Sequence, residues 1–189
     1  YFPELDSDTC SDTQIISKMF SKYDFDECIQ QFEGMWSIIY YNHKDEKIYI
    51  SRDRLGIKPL FYYFRSKKFI LSSDLKVITD IKKIKKINIK HAKNFLKTGK
   101  LNHNNNTFFK DIFCVPPGTN GVINLKKKKL IFNKFYQIKL KEKLSLSSIP
   151  NLKILLKRQI QKHFNLNHRI KIALPLSSGL DSNFFLYFY

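Results

Sequence analysis

The sequence predicts an α+β fold that is followed, near its C-terminal end, by the start of an α/β unit. Strand-like runs rich in aromatic and β-branched residues occur in pairs, and a short polar turn separates the members of each pair. From about residue 140, a helical pattern leads into a short apolar run and a loop of small residues. We therefore expect two domains, 1–140 and 141–189, with the boundary between Leu140 and Pro150.

The first domain begins with a predicted helix and continues as hairpins. Ser11 to Gln14 have the Ser-x-x-Gln form of a capping box, which predicts a helix that runs toward Phe20. Residues Asn88 to Thr98 are predicted to be helical, with Gly99 ending the helix. The predicted hairpins join residues 34–41 to 47–52 and residues 60–64 to 69–72, and two further strands cover 121–124 and 130–136.

The last 50 residues have a different pattern. Residues 149–164 place apolar side chains at helical spacing, which predicts a helix. The apolar run 170–176 is typical of a buried parallel strand, and we expect Leu176 to be its last residue. An open turn over residues 177–181 and a helix that begins at Ser182 complete this prediction.

Composition favours a folded protein and gives only weak evidence for a partner. The chain is 43% hydrophobic and carries a formal net charge of +18, and it contains no apolar run of the roughly 18 residues that a membrane helix needs. The lysine runs at 82–86 and 126–129 are interpreted as solvated faces, so a nucleic-acid-binding module is a remote alternative. The three cysteines lack CxxC spacing, which predicts neither a zinc site nor disulfides and favours the cytoplasm.

The segment 51–63, Ser-Arg-Asp-Arg-Leu-Gly-Ile-Lys-Pro-Leu-Phe-Tyr-Tyr, resembles the class II glutamine amidotransferases, and its Arg-Asp-x-x-Gly-Ile-Lys-Pro-Leu form is similar to asparagine synthetases. The resemblance implies an N-terminal-nucleophile fold of two stacked antiparallel sheets, here truncated because the chain starts at Tyr1 without an initiator Met. Gly56 permits a special backbone turn and Pro59 fixes the next dihedral. We interpret this motif as scaffold, with Arg52 and Asp53 holding the turn.

The resemblance also implies one glutamine-binding residue and a missing nucleophile. An acidic residue that opens this helix pairs with the α-amino group of glutamine in the family, a role that falls on Asp12. The alternative is that Asp12 only complements the helix dipole. The family's nucleophile is an N-terminal cysteine with a free α-amine. Cys10, Cys28 and Cys114 are internal, so we expect no catalytic residue and no glutaminase activity from this chain alone.

Two further segments of the chain carry the resemblance. Residues 107–118, with Pro-Pro-Gly at their end, are similar to a structural segment of asparagine synthetases, in which Cys114 is expected to be a packed thiol. The loop 176–182 resembles the Ser-Gly-Gly-x-Asp-Ser loop of ATP pyrophosphatases. The implied ATP- and pyrophosphate-binding residues are Leu176, Ser177, Ser178, Gly179, Asp181 and Ser182, with Asp181 orienting Mg²⁺ on the pyrophosphate.

Ser178 departs from this pattern because it stands where the family has its first glycine. Its Cβ is expected to crowd the phosphates or to demand a costly backbone angle.

Three alternatives to the asparagine synthetase interpretation stay open, and the last of them is remote. They are an amidotransferase that acts on another carboxylate, a decayed non-catalytic remnant, and the nucleic-acid-binding module.

Taken as a whole, the resemblance implies an enzyme that makes asparagine from aspartate, glutamine and ATP, with ATP and Mg²⁺ as cofactors. The expected partners are these small molecules, with no nucleic acid and no membrane. A homodimer is possible for the full-length enzyme.

Overall fold

The computed structural model describes residues 11–101, 104–139, 149–164 and 173–188. The chain divides into two compact units, Tyr1–Ile138 and Lys139–Tyr189, and each is described by itself. The described residues leave out Cys10, the start of the chain, most of the expected domain boundary and the first part of the predicted strand at 170–176.

The described part of the first unit contains four helices and seven strands. The helices are α1 (Asp12–Lys22), α2 (Phe25–Gln31), α3 (Leu75–Lys82) and α4 (Ile89–Thr98). The strands are β1 (Ser37–Asn42), β2 (Lys47–Arg52), β3 (Phe61–Arg65), β4 (Lys68–Ser72), β5 (Ile112–Cys114), β6 (Thr119–Asn124) and β7 (Lys129–Lys134).

The strands form two antiparallel sheets, one with the order β1-β2-β6-β7 and the other with the order β4-β3-β5. Both predicted hairpins are confirmed. In the first, Ile39 lies opposite Ile50 across a turn at residues 43–46, and in the second, Tyr62 lies opposite Leu71. The strand predicted at 34–41 starts later than expected, at Ser37, and Gly34 adopts a φ of 101°, outside the extended region.

Alternating side chains along β2 divide the core between two layers. Ile50 joins Ile123 and Leu60 in a buried cluster to which both sheets contribute. The rings of Tyr62 and Phe132 meet there at 5.3 Å, one from each sheet. The two sheets therefore stack through this cluster, as the resemblance to the class II glutamine amidotransferases implies.

Helices α1 and α2 cover the other face of the four-stranded sheet. Phe20 and Phe25 pack against each other at 4.7 Å and contact Tyr40 and Tyr49, which lie opposite one another on β1 and β2. Trp36 belongs to the same buried cluster. The helices are thus fixed by aromatic contacts whose burial contributes roughly 1.5–3 kcal/mol for each large side chain.

Two of the first unit's helices follow the predicted signals and two were not predicted. The side chain of Gln14 accepts a hydrogen bond from the Ser11 N–H at 3.2 Å at the start of α1. Helix α4 begins after Asn88 and ends at Gly99, whose φ is 68°. Helices α2 and α3 and strand β5 were not predicted from the sequence. Aspartate N-caps precede both helices, since Asp24 and Asp74 accept from backbone N–H groups of the first turn.

In the second unit, the described residues form α5 (Ile149–Phe164) and α6 (Leu180–Phe188). Helix α5 matches its prediction. The predicted buried strand is wrong for its described half, since Ala173 to Leu176 have no regular structure and Leu176 is 56% exposed. A strand needs a hydrogen-bonded neighbour, and the described residues of this unit offer only helices. Helix α6 also begins two residues before the predicted Ser182.

No helix in the described ranges has both the length and the apolar character that a bilayer crossing requires.

Candidate functional site

The loop after β2 is held by the guanidinium of Arg52. Its nitrogens donate to the carbonyl oxygens of Lys58 at 2.9 Å and of Gly56 and Val115 at 2.6 Å. One of them also lies 2.8 Å from the Sγ of Cys114. Arg52 is 8% exposed, so these bonds satisfy a buried charge and tie the loop to the segment after β5.

The carboxylate of Asp53 organises the same loop from inside. It accepts from the N–H groups of Leu55 at 3.1 Å and of Ile57 and Lys58 at 2.9 Å. Burial by itself raises the pKa of Asp53, but the backbone hydrogen bonds together outweigh burial and leave the pKa below its usual value. Asp53 is therefore an ionised structural anchor, in agreement with the interpretation of the motif as scaffold.

Gly56 and Gly99 allow a matched test of this packing. Both have nearly the same positive φ, 67° and 68°, but a Cβ at Gly56 would lie 2.9 Å from Pro117, whereas one at Gly99 would meet nothing within 4 Å. We expect Gly99→Ala to cost about 1 kcal/mol of unfolding free energy and Gly56→Ala about 2–4 kcal/mol. Urea unfolding of the two variants measures both values, and equal losses would contradict the packing account.

The anchored loop in turn fixes the segment that precedes β1. Arg54 donates to the carbonyl oxygen of Phe32 at 2.6 Å. The backbone N–H of Asp53 donates to the carbonyl of Trp36 at 3.0 Å. The indole N–H of Trp36 donates to Ser51 Oγ at 2.9 Å in the protein interior. These bonds give residues 32–36 one defined position beside α1.

A groove of about 430 Å³ lies between α1 and the segment 31–36. Its lining is largely apolar and includes Ile15, Ile16, Met19, Phe32, Met35 and Trp36, with Asp12, Gln31 and Glu33 as its polar members. Asp12 lies in the first turn of α1 and is exposed. Its carboxylate has no hydrogen-bond or ion-pair partner that the described residues supply. The groove therefore offers a carboxylate beside an apolar wall, which suits the ammonium group of an amino acid.

The two described cysteines lie away from this groove's lining. Cys28 is fully buried in α2, and burial, with smaller contributions from nearby carboxylates, raises the pKa of its thiol. Burial also raises the pKa of Cys114, although Arg52 opposes the shift. Raised thiol pKa values indicate unreactive side chains. Cys114 is half-buried against Arg52, and the predicted absence of a catalytic cysteine stays a prediction.

In the second unit, the structure brings Ser177, Gly179 and Ser182 together at the start of α6. The hydroxyls of Ser177 and Ser182 lie 3.2 Å apart, and Ser177 Oγ accepts from the Gly179 N–H at 3.1 Å. Asn183, which was not predicted, donates to the carbonyl oxygens of Ser177 and Gly179 at 3.1 and 2.9 Å. The sequence signal that could have identified Asn183 is its amide side chain directly after Ser182, the last serine of the motif.

The other predicted residues of this serine loop (residues 176–182) have different surroundings. Leu176 and Ser178 are exposed. Ser178 is not among the described residues with positive φ, so the costly backbone angle expected there is wrong, while crowding of a phosphate stays a prediction.

Asp181 lies in the first turn of α6 and is exposed, with no hydrogen-bond or ion-pair partner within the described ranges. No group of three or more potential metal ligands occurs in the part of the chain that the structure describes. A single carboxylate fits Mg²⁺ that is carried mainly by phosphate oxygens, because this ion is commonly bound by one or two carboxylates plus substrate phosphates.

Comparison with known families identifies the class to which the first unit belongs. The glutamine amidotransferase domain family matches residues 4–136, and the chain belongs to this family. This range contains the whole of both sheets, the Arg52–Asp53 scaffold and the groove beside Asp12.

Two curated relatives resemble parts of the chain. A putative glutamine-hydrolysing asparagine synthetase 2 of Methanocaldococcus jannaschii is 44% identical over 82 residues, which are 43% of this chain and 16% of the relative. The glutamine-hydrolysing asparagine synthetase 3 of Bacillus subtilis is 28% identical over 68 residues, which are 36% of this chain and 11% of the relative. The matched segments thus span less than one fifth of each relative's length.

Proposed function

We propose that the chain is part of a glutamine-dependent asparagine synthetase, in which the first unit serves glutamine hydrolysis and the second unit serves ATP. One observation carries the proposal. A glutamine amidotransferase domain over residues 4–136 is followed in the same chain by the serine loop, which resembles a pyrophosphate-binding loop. Both relatives described above have names that specify a glutamine-hydrolysing asparagine synthetase.

In the first unit, we assign Asp12 to the α-amino group of glutamine. Asp12 lines the groove, and its carboxylate has no competing partner among the described side chains, so it is available to an ammonium donor. Charge-assisted hydrogen bonds of this kind are roughly twice as strong as neutral ones. The role as a helix-dipole partner alone is the competing explanation. Removal of the charge raises the glutamine KM if Asp12 binds glutamine, whereas it lowers only the stability of α1 if Asp12 is a dipole partner alone.

In the second unit, we assign the serine loop to the phosphates of ATP. Ser177 and Ser182 currently hydrogen-bond to each other, and a phosphate oxygen can accept from either hydroxyl in place of that bond. The N-terminus of α6 adds a favourable dipole for an anion. Mg²⁺, when bound, would neutralise charge on the leaving pyrophosphate, and we assign its orientation to Asp181.

The proposed reaction joins the two units' chemistry. The aspartate side-chain carboxylate attacks the α-phosphorus of ATP, which forms β-aspartyl-AMP and releases pyrophosphate. Hydrolysis of glutamine supplies ammonia and leaves glutamate. Ammonia then displaces AMP from the acyl carbon and loses a proton, which gives asparagine. The assignment of aspartate, rather than another carboxylate, comes from the names of the relatives.

Isotope transfer tests this function in the whole protein that contains residues 1–189. With glutamine labelled by ¹⁵N at the amide, aspartate, ATP and Mg²⁺, we expect labelled nitrogen in the side-chain amide of asparagine, with AMP and pyrophosphate in equal amounts. Mass spectrometry and phosphorus NMR measure these products. Label in a different amide would contradict asparagine synthesis, and ATP cleavage to ADP would contradict the adenylate step.

A further inference from the structure

The positive charge of the chain is concentrated in one segment of the first unit. Residues 81–110 contain nine lysines and no aspartate or glutamate, so 30 residues carry half of the net charge of +18. A uniform lysine bias would leave acidic residues interspersed here as they are elsewhere. The separation of lysines from acidic residues in this segment therefore requires a local explanation.

A concave site gathers part of this charge. It has a volume of about 660 Å³ and lies between α4 and residues 104–106. Lys90, Lys93 and Lys97 contribute to its lining, and they are spaced by three and four positions, so they share one face of α4. Every lining residue is polar, four of them are asparagines, and none is acidic.

Helix α4 bears an electrostatic cost for this arrangement. Like charges three or four residues apart destabilise a helix, and Lys90 lies in the first turn, where a positive charge opposes the helix dipole. The first turn of α4 contains no acidic residue to offset it. Positions where a sequence departs from local stability rules without compensation tend to be functional sites. An anion in this pocket would relieve both the repulsion between the lysines and the unfavourable charge in the first turn.

We propose that this pocket, lined by Lys90, Lys93 and Lys97, binds a small multiply charged phosphate compound such as an oligophosphate. The volume lies within the roughly 300–1,000 Å³ of small-molecule sites. Ammonium groups supply charge, and asparagine amides supply neutral hydrogen-bond donors for the remaining oxygens.

The geometry favours a small ligand over single-stranded RNA. RNA-binding surfaces combine a basic groove with aromatic rings on which bases stack. No phenylalanine, tyrosine or tryptophan lines this pocket. The nearby rings of Phe95 and Phe108 instead pack edge-on against each other at 5.4 Å, so they are engaged within the protein.

Calorimetric titration of the whole protein that contains residues 1–189 with inorganic tripolyphosphate tests the proposal at constant ionic strength. We expect saturable binding whose dissociation constant rises about tenfold or more in Lys90→Gln/Lys93→Gln/Lys97→Gln. The control is Lys127→Gln/Lys128→Gln/Lys129→Gln, which removes the same charge from exposed positions in the β6–β7 turn and at the start of β7. It should change the constant by less than about twofold.

Unfolding curves of both triple variants accompany the titration. Removal of the like charges on α4 should leave the pocket variant as stable as the wild type or more stable. The single substitution Lys93→Gln is a milder variant, and we expect it to weaken tripolyphosphate binding about threefold. Equal weakening in pocket and control variants would overturn the proposal. Loss of binding on Ser182→Ala would also overturn it, since the phosphate would then lie at the serine loop. If an RNA oligonucleotide bound more tightly than tripolyphosphate and required the same lysines, the ligand would be RNA and not a small phosphate compound, which would also overturn the proposal.

Discussion

Asp181→Asn should lower asparagine formation by the whole protein about a hundredfold or more, while glutamine hydrolysis stays within about twofold of the wild type. The substitution keeps the size of the side chain and removes the charge that orients Mg²⁺ on the pyrophosphate. Because Asp181 is exposed and lacks a partner among the described residues, its loss should not disturb the fold. The effect should therefore fall on adenylation alone.

Separate assays of glutamate release and of asparagine and pyrophosphate formation make this measurement. Asp80→Asn is the matched control, since it removes the same charge from an exposed position in the first unit and should leave both activities unchanged. A parallel fall in both activities of Asp181→Asn would indicate a structural role. An unchanged rate of asparagine formation would contradict the assignment of the serine loop to ATP.

The sequence predicted the elements whose signals are local. Each hairpin has paired β-rich runs around a polar turn, and α4 has both an asparagine cap and a terminal glycine, so neighbouring residues were sufficient to define them. Helix α2 was missed because it is only seven residues long, which is too short for a clear apolar period. Helix α3 is followed by Lys83, with a φ of 51°, and not by a glycine, so its stop signal was absent.

The remaining features depend on contacts between distant parts of the chain. Arg52 bonds to Val115, 63 positions away. The segment that faces Asp12 across the groove is held by hydrogen bonds of Arg54 and Trp36. The apolar run 170–176 predicted a strand from composition, but a strand also requires a neighbour, which composition does not specify. Asn183 acts through two carbonyl bonds that only the folded loop reveals.

The second large effect concerns glutamine itself. Asp12→Asn should raise the glutamine KM of the whole protein about a hundredfold, which corresponds to about 2.7 kcal/mol, because it removes the charge that pairs with the substrate's ammonium group. Synthesis from ammonia should proceed at the wild-type rate, since ammonia bypasses glutamine binding. The same substitution should lower the stability of α1 by no more than about 1 kcal/mol through the helix dipole.

Gln14→Ala provides the matched control for the helix, because Gln14 caps α1 through the Ser11 N–H but is not part of the groove lining. The most direct test is the glutamine KM of Asp12→Asn and Gln14→Ala, measured side by side by glutamate release. We predict a rise of about a hundredfold for Asp12→Asn and less than about twofold for Gln14→Ala. Equal effects of the two variants, or an unchanged KM in Asp12→Asn, would contradict the binding of glutamine at Asp12.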